Sequence, residues 1–172
     1  MKLCVYLAQK MTGRTCLEII KEARKVTRIF KKHGLDIWSP AIAEKIPNVK
    51  KKLNVLSKED LLSKWMIDKK EGLRNCHIFY DVTGDLHSEG TNVERGYMRW
   101  YLWRPSIRCR KPDHIYSISD IEDDFIANSH VQAAIVIRRL WGSRKKWILW
   151  KISHILYGLP KMILIQLKSL FL

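Results

Sequence analysis

The chain lacks most of the features that would place it quickly. Its four cysteines, Cys4, Cys16, Cys76 and Cys109, fall without CxxC spacing. That argues against a zinc ribbon and against a disulfide framework, and reduced thiols in a cytoplasm become the expectation. Glycine and proline are few, with 8 and 5 residues, and no stretch is low in complexity or repeated. A disordered linker protein and a solenoid are therefore excluded. Residues 1–7 carry one lysine and a short apolar run without a cleavage-like site, so they read as a first strand rather than a secretory leader. No apolar run reaches the ~20 residues needed to span a bilayer. Acidic residues are also short in one region: none follows Asp124, whereas Arg138, Arg139, Arg144, Lys145, Lys146, Lys151, Lys161 and Lys168 all do.

What is present is a globular composition in 172 residues, 47% hydrophobic and 28% charged, enough for one domain with a real core. The net charge of +15 implies an anionic partner: nucleic acid, a membrane surface or small anionic substrates. The tail is both basic and rich in Trp and Leu, which suits a membrane surface better than a DNA groove. The run Lys50-Lys51-Lys52 reads as a solvated face. No nucleic-acid-binding motif accompanies it, so specific nucleic-acid binding is not expected.

Strands and helices alternate along the chain. Residues 3–8 predict a buried strand and 9–15 a polar loop containing Gly13. Cys16, Ile19, Ile20, Ala23, Val26, Ile29 and Phe30 recur at helical spacing, predicting a helix over 16–32 that Gly34 ends. A short strand over 35–38 closes at Pro40. A helix is expected over about 58–75, weakened near its end by Gly72. A third strand follows over 76–82, then a helix over about 92–103, and strands near 105–109 and 114–118. The acidic run from Ile118 to Asp124 reads as a helix start capped by Ser119 or Asp120, with the helix continuing to about Trp141. Gly142-Ser143 interrupts it. The alternation predicts an α/β fold, a Rossmann-like sandwich on a mostly parallel sheet, with a C-terminal helical extension. The division expected is 1–118 for the α/β domain and 119–172 for the basic, apolar extension. In such sheets ligands sit at the carboxyl ends of strands, which selects the loops 9–15 and 83–91.

The second of those loops carries the most chemistry. Ser88-Glu89-Gly90-Thr91-Asn92-Val93-Glu94-Arg95-Gly96 leads from the third strand into a helix. A small turn at a helix N-terminus can hold a phosphate on backbone N–H groups, with Glu94 favoured as the anion one turn inside. By spacing alone, Thr91-Asn92-Val93-Glu94 is also a capping box, in which Glu94 merely closes the helix start.

Three separated elements resemble one family. Val5-Tyr6-Leu7 leads to Met11-Thr12-Gly13, an Asp lies on a helix before the third strand, and Ser88-x-Gly90-Thr91-x-x-Glu94-x-Gly96 follows it. Together they resemble the nucleoside 2-deoxyribosyltransferase superfamily over about residues 3–110. Ser88, six residues before Glu94, makes the chain more similar to the 2'-deoxynucleoside 5'-phosphate N-hydrolases than to the transferases. The resemblance implies a metal-independent N-glycosidase without a cofactor, assembled as a dimer or larger homo-oligomer and acting on a small nucleotide. It implies Glu94 as nucleophile, Asp68 as proton donor and Tyr6 as the residue that positions Glu94. It further implies Ser88, Gly90 and Thr91 at the 5'-phosphate, with Gly13 and Arg14 beside it.

Plainer readings stand beside these. Asp68 could pair with Lys64 or Lys69 on a helix surface, with Asp60 and Asp81 the other candidates for the acid. Tyr6 could be core, and Arg14 a solvated loop residue. The non-enzymatic alternative is a nucleotide- or membrane-binding module. For residues 147–172 two readings are equal: a core or dimer-contact helix pair, and a peripheral membrane anchor using Trp147, Trp150, Tyr157 and Lys161. The expected location is cytoplasmic, at the membrane periphery under the second reading.

Overall fold

The computed structural model describes residues 2–45, 64–83, 89–110 and 124–152. Strand β1 (Cys4–Ala8) is followed by helix α1 (Cys16–Lys32), strand β2 (Asp36–Trp38) and a short helix α2 (Pro40–Ala43). Helix α3 occupies 64–73 and precedes strand β3 (Ile78–Asp81). Helix α4 (Glu89–Gly96), strand β4 (Ser106–Cys109), strand β5 (Phe125–Ala127) and helix α5 (His130–Trp141) complete the series, with a last helix α6 over 144–152. The five strands form one sheet in the order β2-β1-β3-β4-β5, and every pairing is parallel. The expected α/β architecture is the one observed. Strand order reverses between β1 and β3, and the carboxyl ends of those two strands border the crevice in which such folds bind ligands.

Helix α1 shows how the sequence sets its own limits. Thr15 caps it: its hydroxyl accepts from the Glu18 N–H at 3.3 Å, while the Glu18 carboxylate accepts from the Thr15 N–H at 2.9 Å. That reciprocal pair is a capping box. At the other end Gly34 adopts φ +69, its N–H reaching Lys31 O at 2.9 Å and the Leu35 N–H reaching Phe30 O at 3.1 Å. Both bonds satisfy carbonyls the helix leaves open, and only glycine takes that left-handed φ cheaply.

The two sheet faces are unequal. Val5, Leu7, Ile78, Tyr80 and Ile107 point toward α1 and α5 and form the larger core with Ile19, Val26, Phe30, Ala134 and Ile137. The opposite face, toward α3 and α4, has a smaller apolar cluster among the described residues: Tyr6, Ala8, Leu73, Cys76, Phe79 and Met98. Polar chemistry has room there. The four cysteines are free, with Cys4 and Cys76 sharing a thiol contact at 3.1 Å on this face.

Two elements differ from the sequence expectation. The helix expected from about 119 is a strand at Phe125–Ala127, and α5 begins only at His130. Ser129 fixes that start by accepting from the Gln132 N–H at 3.1 Å. Asp124 acts as a strand anchor, accepting from Ser106 N and Arg99 Nη1, both at 2.8 Å. The expected strand at 114–118 and the expected caps at Ser119 and Asp120 lie outside the described residues. The second difference is at α4, which starts at Glu89 rather than 92.

Helices α3 and α4 both widen into π-type turns, at Asp68–Leu73 and Tyr97–Tyr101. Such turns are uncommon and recur at functional sites. They meet through Trp65 and Tyr97, edge to face at 5.9 Å, with the Lys69 ammonium 4.7 Å and 5.0 Å from the two ring centres. Gly72 lets α3 approach the sheet, because a Cβ there would stand 2.5 Å from the Trp38 ring. Gly72→Ala therefore forces Trp38 or the helix to move. Urea denaturation should show a loss of roughly 1–3 kcal/mol, the usual cost of overpacking.

Candidate active site

Parallel register builds the site from the sheet upward. Tyr6 pairs with Trp38 of β2 and with Phe79 of β3. Residues level with one another across a sheet share a face, so the three rings stack. Tyr6 lies 5.2 Å from Trp38 at an interplanar angle of 17°, and 5.7 Å from Phe79 at 10°. The ring is fully buried, and its hydroxyl has one direction left. It donates to Glu94 Oε1 at 2.9 Å.

Helix α4 is held over the sheet by a buried ion cluster. Asp81 is fully buried and accepts from Arg95 Nη2 at 2.7 Å, with Arg108 Nε at 3.4 Å. It also accepts from the Thr83 N–H and hydroxyl at 2.8 Å and 2.6 Å. Arg95 is the residue after Glu94, so this cluster fixes the helix turn from which Glu94 reaches Tyr6. Asp81 is committed to two guanidinium groups and to Thr83.

Glu94 departs from the sequence reading in two respects. Because α4 already runs from Glu89, Thr91 is inside the helix and the capping box expected at 91–94 is not its start. Glu94 also lies in the second turn, where the helix dipole helps an anion less. Loss of hydration dominates instead and pushes its carboxyl up to about 8. The Tyr6 hydrogen bond opposes that shift, while the charges of Asp68, Asp81 and Glu44 add to it.

Asp68 opens the π-type turn of α3 and is buried, with its Oδ1 unpartnered among the described residues. Burial raises its carboxyl to about 7, Glu44 and Glu71 add to the rise, and Lys64 offsets part of it. The surface-pair reading therefore fails for Lys64, which is bound to Glu44. Lys69 is engaged with the Trp65 and Tyr97 rings. Asp68 is close enough that its charge raises both Tyr6 and Glu94. Tyr6 itself is held well above its ordinary value, first by burial and then by Glu94 and Asp68. It stays a hydrogen-bond donor at every relevant pH.

Tyr6, Asp68 and Glu94 thus gather at one place. The flanking residues divide. Thr91 is buried and Gly90 exposed in the first turn of α4. Gly13 adopts φ +81 in the β1–α1 loop. Arg14 is tied to α1, donating to Glu22 Oε2 at 2.7 Å, an acceptor it shares with Gln9. Ser88 and Asp60 lie outside the described residues. Sequence reading missed Trp38, Glu44 and the Asp81–Arg95–Arg108 cluster. Trp38 could have been suspected as an aromatic ending a strand beside the crevice, whereas the other two depend on contacts distant in sequence.

The fold has solved counterparts. A 2-deoxyribosyltransferase from the psychrotolerant bacterium Bacillus psychrosaccharolyticus superposes with a TM-score of 0.56 at 17% identity, covering 76% of this chain and 90% of that one. A conserved protein from Enterococcus faecalis V583 gives 0.54 at 8% identity, covering 81% and 99%. The CMP N-glycosidase BcmB from Clostridium botulinum gives 0.45 at 15% identity, covering 79% and 98%. No protein-family model matches the chain, and no curated protein is similar to it in sequence. The fold implied by the sequence resemblance is the fold these first two structures share with it.

Two outcomes follow from the site's electrostatics. Asp81→Ala removes the buried carboxylate that two guanidinium groups share, and should lower stability by roughly 3–5 kcal/mol in urea titrations. Glu94→Gln has the opposite sign. The folded carboxyl titrates near 8 against an ordinary 4.5, so the folded state binds the proton more tightly. Its stabilising contribution is complete below about pH 4.5 and is lost as pH rises through 8. Comparing unfolding at about pH 6 and about pH 8.5, wild type should weaken, and Glu94→Gln should weaken less.

Proposed function

We propose that the chain hydrolyses the N-glycosidic bond of a 2'-deoxynucleoside 5'-monophosphate, releasing the free base and 2-deoxyribose 5-phosphate. The observation that carries this reading is the Glu94 carboxyl held by the Tyr6 hydroxyl at 2.9 Å, with buried Asp68 within its electrostatic reach. N-glycosidic cleavage needs one group to capture the sugar carbon and another to protonate the leaving base. A 2'-deoxy sugar has no electron-withdrawing 2'-hydroxyl, so its oxocarbenium-like state forms readily. Two carboxyl groups then suffice.

In the first step Glu94 attacks C1', the C1'–N bond breaks, and the bonding pair leaves with the base, which takes the Asp68 proton. In the second step the Asp68 carboxylate takes a proton from water. The oxygen adds to C1', and Glu94 departs as the anion. Two displacements at one carbon give net retention. Ser88 and the first backbone N–H groups of α4 are the proposed holders of the 5'-phosphate, and the pairing of Arg14 with Glu22 makes Arg14 the weaker of the proposed phosphate ligands.

Protonation decides when this can run. With carboxyls near 7 and near 8, the pair holds one to two protons at neutral pH, falls to about one between those values, and titrates as a unit. The reactive arrangement has Glu94 ionised and Asp68 protonated. The Tyr6 hydroxyl favours it by donating to the Glu94 anion.

The test is base release from a panel of nucleoside 5'-monophosphates and matched nucleosides, followed by chromatography. One deoxynucleotide should release its base, and Glu94→Ala should release none. Asp68→Asn should slow release by roughly 10²–10⁴-fold, the usual contribution of a general acid–base group. The pH profile should be a narrow bell with limbs near 7 and 8, since below it both groups are protonated and above it neither is. A preference for unphosphorylated nucleosides, with transfer to an added base, would instead make it a transferase of the kind its Bacillus counterpart is named for. No release from well-folded protein would overturn the enzymatic reading.

A further inference from the structure

Helix α6 has two apolar faces, and among the described residues only one is covered. Trp147, nearly buried, stacks on Trp150 at 5.7 Å and meets His77 edge to face at 5.8 Å. Trp150 in turn packs perpendicular to Trp141 at 6.2 Å. These two rings, which one of the two equal sequence readings put at a membrane interface, face the protein core. The opposite side carries Ile148, Leu149 and Ile152, exposed by 46%, 55% and 49%. Their spacing of one and four residues puts them on one stripe. Exposed Arg144, Lys145, Lys146 and Lys151 border it. Lys146 Nζ is partly engaged, donating to Arg139 O at 2.7 Å, and the Lys151 ammonium lies 5.8 Å from the Trp147 ring.

We infer that this outward face of α6 docks on an anionic lipid surface. An apolar stripe between cations is the pattern of a helix lying in the headgroup plane, where the stripe enters the acyl boundary and the cations meet lipid phosphates. Charge complementarity selects this occupant. A symmetric contact with a second copy would set the same cations against one another, and no acidic residue after Asp124 could relieve them. A nucleic-acid strand would leave the aliphatic stripe in water, and the tryptophans that could stack on its bases are turned inward. No helix among the described residues is long and apolar enough to cross a membrane, so the contact is peripheral. Trp147 packs into the core on the α1 and α5 side of the sheet, so docking would leave the chemistry at Glu94 on the other face unchanged.

The experiment uses the full chain with sedimenting vesicles of phosphatidylcholine, alone or mixed with phosphatidylserine. Wild type should sediment with the mixed vesicles only and be released by salt. Arg144→Gln with Lys145→Gln should weaken partitioning by roughly fivefold for each cation removed. Ile148→Ser with Leu149→Ser and Ile152→Ser should weaken it as well, with near-ultraviolet circular dichroism unchanged, because these side chains are outside the core. Three results would overturn the inference. One is wild type staying in solution with mixed vesicles at low salt. Another is both variants sedimenting as wild type does, which would assign lipid binding to another part of the chain. The third is a wild-type dimer that the serine variant dissociates, which would make the stripe a contact between copies.

Discussion

The Tyr6 hydroxyl reaches the Glu94 carboxyl because two unrelated devices set its position from opposite sides. From below, Tyr6 is clamped between Trp38 and Phe79 on neighbouring parallel strands. From above, the Asp81–Arg95–Arg108 cluster fixes the turn of α4 that carries Glu94. A one-residue slip of β1 would send Tyr6 to the other sheet face and end the contact. The strand order adds the third condition. It places the β1 and β3 termini side by side, so Tyr6 of the first device and Asp81 of the second stand on neighbouring strands.

The same arrangement stores a cost. Burial raises the carboxyls of Glu94 and Asp68 on this face of the sheet, with Glu44 close enough to raise both. An ordinary core would not hold three carboxyl groups within mutual reach. Natural sequences tend to break local stability rules where function resides, and offset them elsewhere. Here the offset is visible as the larger apolar core on the α1 and α5 side. Groups whose protons are shared near neutrality are suited to acid–base exchange, since neither form is far from the working pH.

Much of this was legible in the sequence where a signal is local. The apolar spacing of α1, the Gly34 stop and the three strands β1, β2 and β3 follow from periodicity and turn chemistry. Their alternation was enough to give the parallel sheet. Tyr6, Asp68 and Glu94 came from a motif resemblance, and the structure brings them together. The rest depends on distant contacts. Phe125-Ile126-Ala127 is a short apolar run next to an acidic cluster, and nothing local separates a helix from a strand there. Its pairing with β4 decides it. The capping-box reading of Thr91 and Glu94 failed because the helix starts earlier, with a carboxyl recruited by a tyrosine 88 positions away. Burial reversed the expected charge preference of Glu94, and burial is a property of the packed chain.

The direct measurement is a carboxyl titration of Glu94 by carbon-detected magnetic resonance, in wild type and in Tyr6→Phe. The account predicts a midpoint near 8 in wild type, and a higher one in the variant because the donor that favours the anion is gone. A wild-type midpoint near the ordinary 4.5, unmoved by Tyr6→Phe, would contradict it. Glu94 would then be a hydrated surface carboxylate, and the proposed nucleophile would have no site.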